Sequence, residues 1–130
     1  MTAFIDTNVL IYAQTAEPKS ETARRAILDG GVISVQVLNE FAAVLRRKFL
    51  LEWDDIVAAV NDLRVAFNPI RPISVVTHVD AVVLARSRGF NFYDALIIAS
   101  ALDAGCDTLL TEDLQHGRRI DGLTIVNPFA

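Results

Sequence analysis

"AFIDTNVLIYA", residues 3–13, holds a short apolar run, an acid and a second apolar run with no linker between them. Ala3–Ile5 reads as a buried strand, being apolar throughout and too short for a helix. "NVLIYA" then reads as helical. The alternation continues down the chain. "SETARRAIL" is a helix closed by Asp29–Gly31, where glycine supplies a left-handed cap, and "GVIS" is a strand. Ser34 caps the helix "VQVLNEFAAVLRRKF", whose apolar stripe is Val37, Leu38, Phe41, Val44 and Leu45. "WDDIVAAVNDLRVAF" keeps helical spacing through Ile56, Val60, Leu63 and Phe67, and two prolines then hold "NPIRPIS" extended. "THVDAVVLARSRG" opens with Thr77 and Asp80 at capping-box spacing and stops at Gly89. "NFYDALIIASALDAG" is apolar nearly all round and belongs in the core. "DTLLT" is a strand, "EDLQHGRRIDG" a loop and "LTIV" a last strand. This order predicts an α/β three-layer domain, with helices on both faces of a short central parallel sheet and right-handed crossovers between strands.

A chain of 130 residues suits one domain, spanning 1–130. Hydrophobic residues make up 52% of it, above the usual ~45–50%. That surplus favours a sheet covered on both faces, a large partner surface, or both. Cys106 is the only cysteine and reads as a small buried hydrophobe. The first residues lack the basic and long apolar regions of a secretory leader, so a reducing cytoplasm is expected. No apolar run reaches the ~18 residues of a membrane span. The net charge of −4 argues against nucleic-acid binding by bulk charge. Such a role must rest on a local basic patch, a metal, or both.

In open α/β sheets ligands sit beyond the carboxyl ends of the strands, and there this chain places acids. The first strand ends at Asp6, and "DTLLT" delivers Thr111, Glu112 and Asp113. Glu40 lies two turns into the helix after the second strand, about 60° from Val37 at the edge of the apolar stripe. Asp94 opens the apolar core helix. Buried carboxylates are rare unless paired or metal-bound, and gathering several without a cation costs several kcal/mol. A divalent cation removes that penalty. Carboxylates and water suit Mg²⁺ or Mn²⁺, while His78 and His116 alone, with no cysteine cluster, disfavour zinc. Each acid also has a plain structural reading. Asp6 could cap the helix at Asn8, Glu40 could pair with Arg47, Asp94 could complete a capping box begun by Asn91, and Asp113 could be a turn residue. The argument lies in the four together.

"FIDTNVLI", "SVQVLNEF", "NFYDALIIASAL" and "LLTEDLQHG" resemble the motifs of the PIN domain in order and approximate spacing, over essentially the whole chain. More closely, the chain resembles the VapC-type toxins of type II toxin–antitoxin pairs. The resemblance implies a single PIN-like domain and a Mg²⁺- or Mn²⁺-dependent endoribonuclease. It carries the catalytic, metal-holding site onto Asp6, Glu40, Asp94 and Asp113, with Asn8 and Thr111 as supporting polar positions. It also implies a homodimer, and a small cognate antitoxin whose tail covers the acidic groove.

Arg24, Arg25, Arg46, Arg47, Lys48, Arg118 and Arg119 are the candidate phosphate binders. Arg118 and Arg119 are preferred for RNA because they follow "TEDLQHG" and should lie near the metal rim. Two rivals stand beside the ribonuclease. A haloacid-dehalogenase-like phosphatase begins similarly but needs an acid where Asn8 stands, and a lysine downstream, whereas no lysine follows Lys48. A non-catalytic cation- or protein-binding module would use the acids without cutting anything.

Overall fold

One strand, six successive helices and three further strands make up a computed structural model that describes residues 2–130. In chain order they are β1 (Ala3–Ile5), α1 (Thr7–Gln14), α2 (Ser20–Ala26), α3 (Val35–Arg47), α4 (Trp53–Ala66), α5 (Val75–Arg88), α6 (Phe92–Asp103), β2 (Thr108–Leu110), β3 (Arg119–Ile120) and β4 (Leu123–Val126). The sheet order is β1-β2-β4-β3. The α/β architecture with a central parallel sheet is as the sequence predicts. β1, β2 and β4 run parallel, with Phe4 opposite Leu109 and Leu109 opposite Ile125.

Three expectations need correcting. First, the segment expected as loop between Glu112 and Gly122 contains β3, which pairs antiparallel with β4 through a two-residue turn. Asp121 and Gly122 both have positive φ, 50° and 88°. That is the backbone a tight hairpin requires, and Asp-Gly is its sequence signature. Second, "GVIS" is not a strand. Val32 bridges Phe4 and Ser34 bridges Arg71, each as an isolated parallel pair. A Cβ on Gly31 would stand 2.5 Å from Ile5 Cδ1 and 3.0 Å from the Ala3 carbonyl, so only glycine lets this segment lie against β1. Third, α5 begins earlier than expected. Ser74, extended at φ −93° and ψ 166°, is the N-cap, and its hydroxyl accepts from the Thr77 N–H at 3.2 Å. Thr77 therefore lies inside the helix, and the capping pair is Ser74 and Thr77 rather than Thr77 and Asp80. At the far end Gly89, at φ 75°, closes α5 as expected. α2 stops at Ala26, before the glycines expected to close it.

The buried apolar side chains form one cluster around the sheet. Phe4, Ile5, Leu109 and Ile125 supply its strands, and Phe41, Leu45 and Leu63 its helices. α6 lies in this core, with Ala95, Ile98, Ala99 and Ala101 buried. Cys106 is buried, as read from the sequence. Among the described residues no helix is long and apolar enough to cross a membrane. For the site, one register matters most. Ile5 lies opposite Leu110, so the residues that leave β1 and β2, Asp6 and Thr111, emerge side by side.

Candidate active site

Asp6 is 7% exposed and held on both oxygens. Oδ1 accepts the Thr7 N–H at 2.7 Å, which is the helix-capping role, while Oδ2 accepts the Thr111 hydroxyl at 2.8 Å. The cap and the site are thus one carboxylate used twice. Thr111 is itself fully buried, and its Oγ1 also accepts the Asp113 N–H at 3.1 Å. One hydroxyl therefore sets two acids relative to each other. Asn8 adds a second link. Its Nδ2 lies 3.2 Å from Asp6 Oδ2 and 3.0 Å from Asp113 Oδ2, and its Oδ1 accepts the Glu112 N–H at 3.3 Å.

Glu40 reaches the same place from α3. It is half-buried, as its helical phase predicts. Its Oε2 accepts the Thr7 hydroxyl at 3.1 Å and its Oε1 the Gln36 amide at 3.2 Å. These two partners stand where a pairing with Arg47 had been the alternative. Asp94 arrives on the first turn of α6. Asn91 caps that helix by accepting the Asp94 N–H at 2.9 Å, and its amide donates to Asp94 Oδ2 at 2.7 Å. The Asn91 cap in the plain alternative for Asp94 is present, but the return bond comes from the Asn91 side-chain amide and not its backbone N–H, and it aims the carboxylate without using it up. Thr7, Gln36 and Asn91 are orienting residues that the sequence did not single out for the site. Gln36 was readable, since it stands one turn before Glu40 on the same helix face. The Thr7 contact spans two elements and was not.

Asp6, Glu40, Asp94 and Asp113 line one cavity of about 150 Å³. No ion pair among the described residues includes any of them. Burial pushes Asp6 up to about 6, against the hydrogen bonds from Thr111 and Thr7, and the charges of Asp113 and Glu40 push it further up. Burial, then the Asp113 charge, raises Asp94 as well. Relative to an ordinary aspartate, the charged form of Asp6 is destabilised by about 3 kcal/mol. Such a site is short of positive charge. Among the described residues no three carboxylate, imidazole or thiol side chains meet tightly enough to form a finished metal cage. The carboxylates ring the cavity instead of converging, with the Asn8 amide between Asp6 and Asp113. An all-oxygen ring that shares its coordination with water fits a hard divalent cation such as Mg²⁺ or Mn²⁺. The histidines are elsewhere. His78 tilts against Phe92 and His116 accepts the Asn127 N–H.

Glu112 belongs to the same turn but faces the other way. Its carboxylate accepts the Tyr12 hydroxyl at 2.8 Å and the Lys19 ammonium at 2.8 Å. Neither Arg118 nor Arg119 borders the acid cavity. Arg118 stacks over Phe90, 4.5 Å from the ring centroid, and Arg119 is exposed on the edge strand β3 opposite Thr124.

Three solved structures share the fold. A toxin–antitoxin complex from Klebsiella pneumoniae contains a chain that is 23% identical, with a TM-score of 0.76 over 98% of each chain. VapC20 of Mycobacterium tuberculosis, described as a toxin that cleaves the Sarcin-Ricin loop, is 21% identical with a TM-score of 0.67, over 83% of this chain and 87% of that one. VapBC2 from Rickettsia felis, bound to a DNA fragment from its promoter, is 19% identical with a TM-score of 0.66, over 96% of this chain and 97% of that one. Among curated proteins none matches. The sequence model of the PIN domain matches residues 3–122, a span that includes all four acids, and the chain belongs to the PIN domain family.

Proposed function

We propose that this chain is an endoribonuclease that hydrolyses RNA phosphodiester bonds with Mg²⁺ or Mn²⁺, and that it is the VapC-type toxin of a toxin–antitoxin pair. The observation that carries the reading is the ring of four acids, free of any cation partner among the described residues, around one cavity at the carboxyl ends of β1 and β2. Membership of the PIN family and the likeness to toxin chains of known structure support it.

Asp6, Asp94 and Asp113 would hold the metal, and Glu40 would join them or orient the attacking water. A bound divalent cation supplies a more acidic water and a counter-charge for the phosphoryl oxygens. The chain's own residues do the rest. Thr111 and Asn8 fix Asp6 and Asp113 in mutual orientation, Thr7 and Gln36 fix Glu40, and Asn91 fixes Asp94. Orientation of this kind is where an enzyme site gains most of its advantage over a flexible one. Arg118 and Arg119 would meet RNA lying beyond the cavity. The protein would act in the cytoplasm as a homodimer, silenced by an antitoxin laid over the acidic groove.

The test is cleavage of total cellular RNA by the purified, antitoxin-free protein, with Mg²⁺ or Mn²⁺, with EDTA, and beside Asp6→Asn. Discrete fragments that vanish with EDTA and in the variant are expected. A folded, metal-loaded protein that cuts nothing would leave the non-catalytic binding module as the better reading.

A further inference from the structure

A second cavity, of about 240 Å³, opens beside the acid cavity, and the two share Asp6, Glu40 and Asp113 as walls. Its outer side is built from different chemistry. Ile11 from α1, Val44 from α3 and Phe49 just beyond it form an apolar wall, and Tyr12, Lys48, Glu17 and Glu112 border it. The Tyr12 hydroxyl is engaged by Glu112 and its ring packs edge-on against Phe129 at 5.2 Å, so this side of the cavity is braced.

Lys48 differs from the other cations near the strand ends. It is the one basic side chain bordering either cavity among the described residues. Its ammonium lies 5.7 Å from the Phe49 ring centroid and forms no ion pair within that set. Lys19, by contrast, is bound to Glu112 at 2.8 Å. A cation with no ion-pair partner among the described residues, its charge felt by Glu112, stands beside an apolar wall next to a carboxylate ring, and that is a poor match for another metal. It matches a molecule that alternates anionic and apolar groups.

RNA is such a molecule. A scissile phosphate held at the acids places its neighbouring nucleoside directly beside it, and the shared walls make the second cavity that place. We propose that this cavity is the subsite for an unpaired nucleotide flanking the scissile phosphate, with its base against Phe49 and Ile11 and its outer phosphate on Lys48. The base must be unpaired because a base stacked in a duplex cannot turn into a side cavity. Its wall makes Phe49 a determinant of which base is preferred beside the cut. The proposal rests on the ribonuclease reading above.

Lys48→Ala, Lys48→Arg and Phe49→Ala, with Arg64→Ala as a distant control, test it on short single-stranded RNA substrates of varied sequence. Lys48→Ala should raise KM about tenfold at low salt and flatten the salt dependence of binding by about 0.7 in log–log slope, the share of one single-strand phosphate contact. Lys48→Arg should restore both, since it keeps the charge. Phe49→Ala should shift the preferred base next to the cut. Arg64→Ala should change none of these. Unchanged KM, salt slope and base preference in the Lys48 and Phe49 variants, beside an active wild type, would overturn the subsite while leaving the nuclease intact. If the wild type cuts nothing, RNA binding by fluorescence anisotropy still decides: loss of affinity in Lys48→Ala upholds the subsite, and equal or absent binding overturns it. Unchanged RNA kinetics with a weakened complex with the coexpressed antitoxin would assign the cavity to a protein segment and overturn the nucleotide.

Discussion

Asp6 and Glu112 are both carboxylates at the carboxyl end of a parallel strand, on neighbouring strands, and they are treated in opposite ways. Glu112 would be raised by its burial, but Lys19 and Tyr12 outweigh that and hold it below its ordinary range. Asp6 receives only neutral donors, beside two further acids, and is pushed up to about 6. The difference is not one of burial alone. The fold gives Glu112 an ion-pair partner and, among the described residues, gives none to the four acids of the first cavity. An acid neutralised in this way serves structure. An acid left short of positive charge stays ready for an external cation.

The largest expected effect comes from removing the unpaired acid. Asp6→Asn should lower RNA-cleaving activity by more than about 100-fold, the scale on which transition-state charge stabilisation acts. In metal-free buffer at pH 7.5 it should also melt at a higher temperature than wild type, because the neutral amide carries no charge to bury. At pH 3.5, where Asp6 is already protonated, that gain should vanish. Equal melting temperatures at pH 7.5 would show that Asp6 carries no electrostatic penalty.

The pH dependence of the wild type sharpens the same point. The unfolded chain releases the Asp6 proton near 3.8, whereas the folded protein keeps it to about 6. The folded state therefore binds more protons in that window, and the Asp6 contribution to stability falls as pH rises through it and stays low above. Added Mg²⁺ or Mn²⁺ should recover stability above pH 6, with a melting temperature that climbs with metal concentration. Calorimetry across pH 4 to 7.5, with and without metal, measures both.

Next in size is the support around Glu40. Thr7→Val removes a donor to its carboxylate and should cost about tenfold in metal affinity or activity, as loss of an outer partner of a metal-holding group does. Isothermal titration with Mn²⁺ reads it, and unchanged affinity would remove Thr7 from the site. The smallest effect belongs to the neutralised acid. Glu112→Gln breaks an exposed ion pair, and its melting temperature should drop slightly, with activity within about twofold of wild type. A loss of activity as large as that of Asp6→Asn would erase the contrast between the two acids.

The site was legible in unequal parts. Asp6 could be read because an apolar strand ran straight into it, and Glu40 because helical phase set it at the edge of a stripe. Asp94 was readable twice over, as a cap partner and as a cavity acid, and the structure makes both true at once. The contributions that escaped reading cross between elements. Thr7 bonds a helix that begins 28 residues later, with an |i−j| of 33 to Glu40. Lys48 was one basic residue among seven candidates, and Arg118 and Arg119 were preferred to it by proximity in sequence. Sequence distance is a poor guide here, because the hairpin β3–β4 carries both arginines to the edge of the sheet away from β1. That hairpin was itself foreshadowed by Asp121-Gly122, a local signal that the reading of the segment as loop passed over.

By itself the sequence determined the periodicities: the helices, the strands β1, β2 and β4, and which acids stand at their ends. These follow from local rules, since side-chain spacing and capping act within a few residues. Tertiary structure alone decided which acids keep a cation and which do not. That depends on the register that sets Ile5 opposite Leu110, and on the placing of Lys19 against Glu112 and of Lys48 beside the open cavity. Electrostatic interactions act through space at a few ångströms, so no spacing along the chain could fix their sign or their partner.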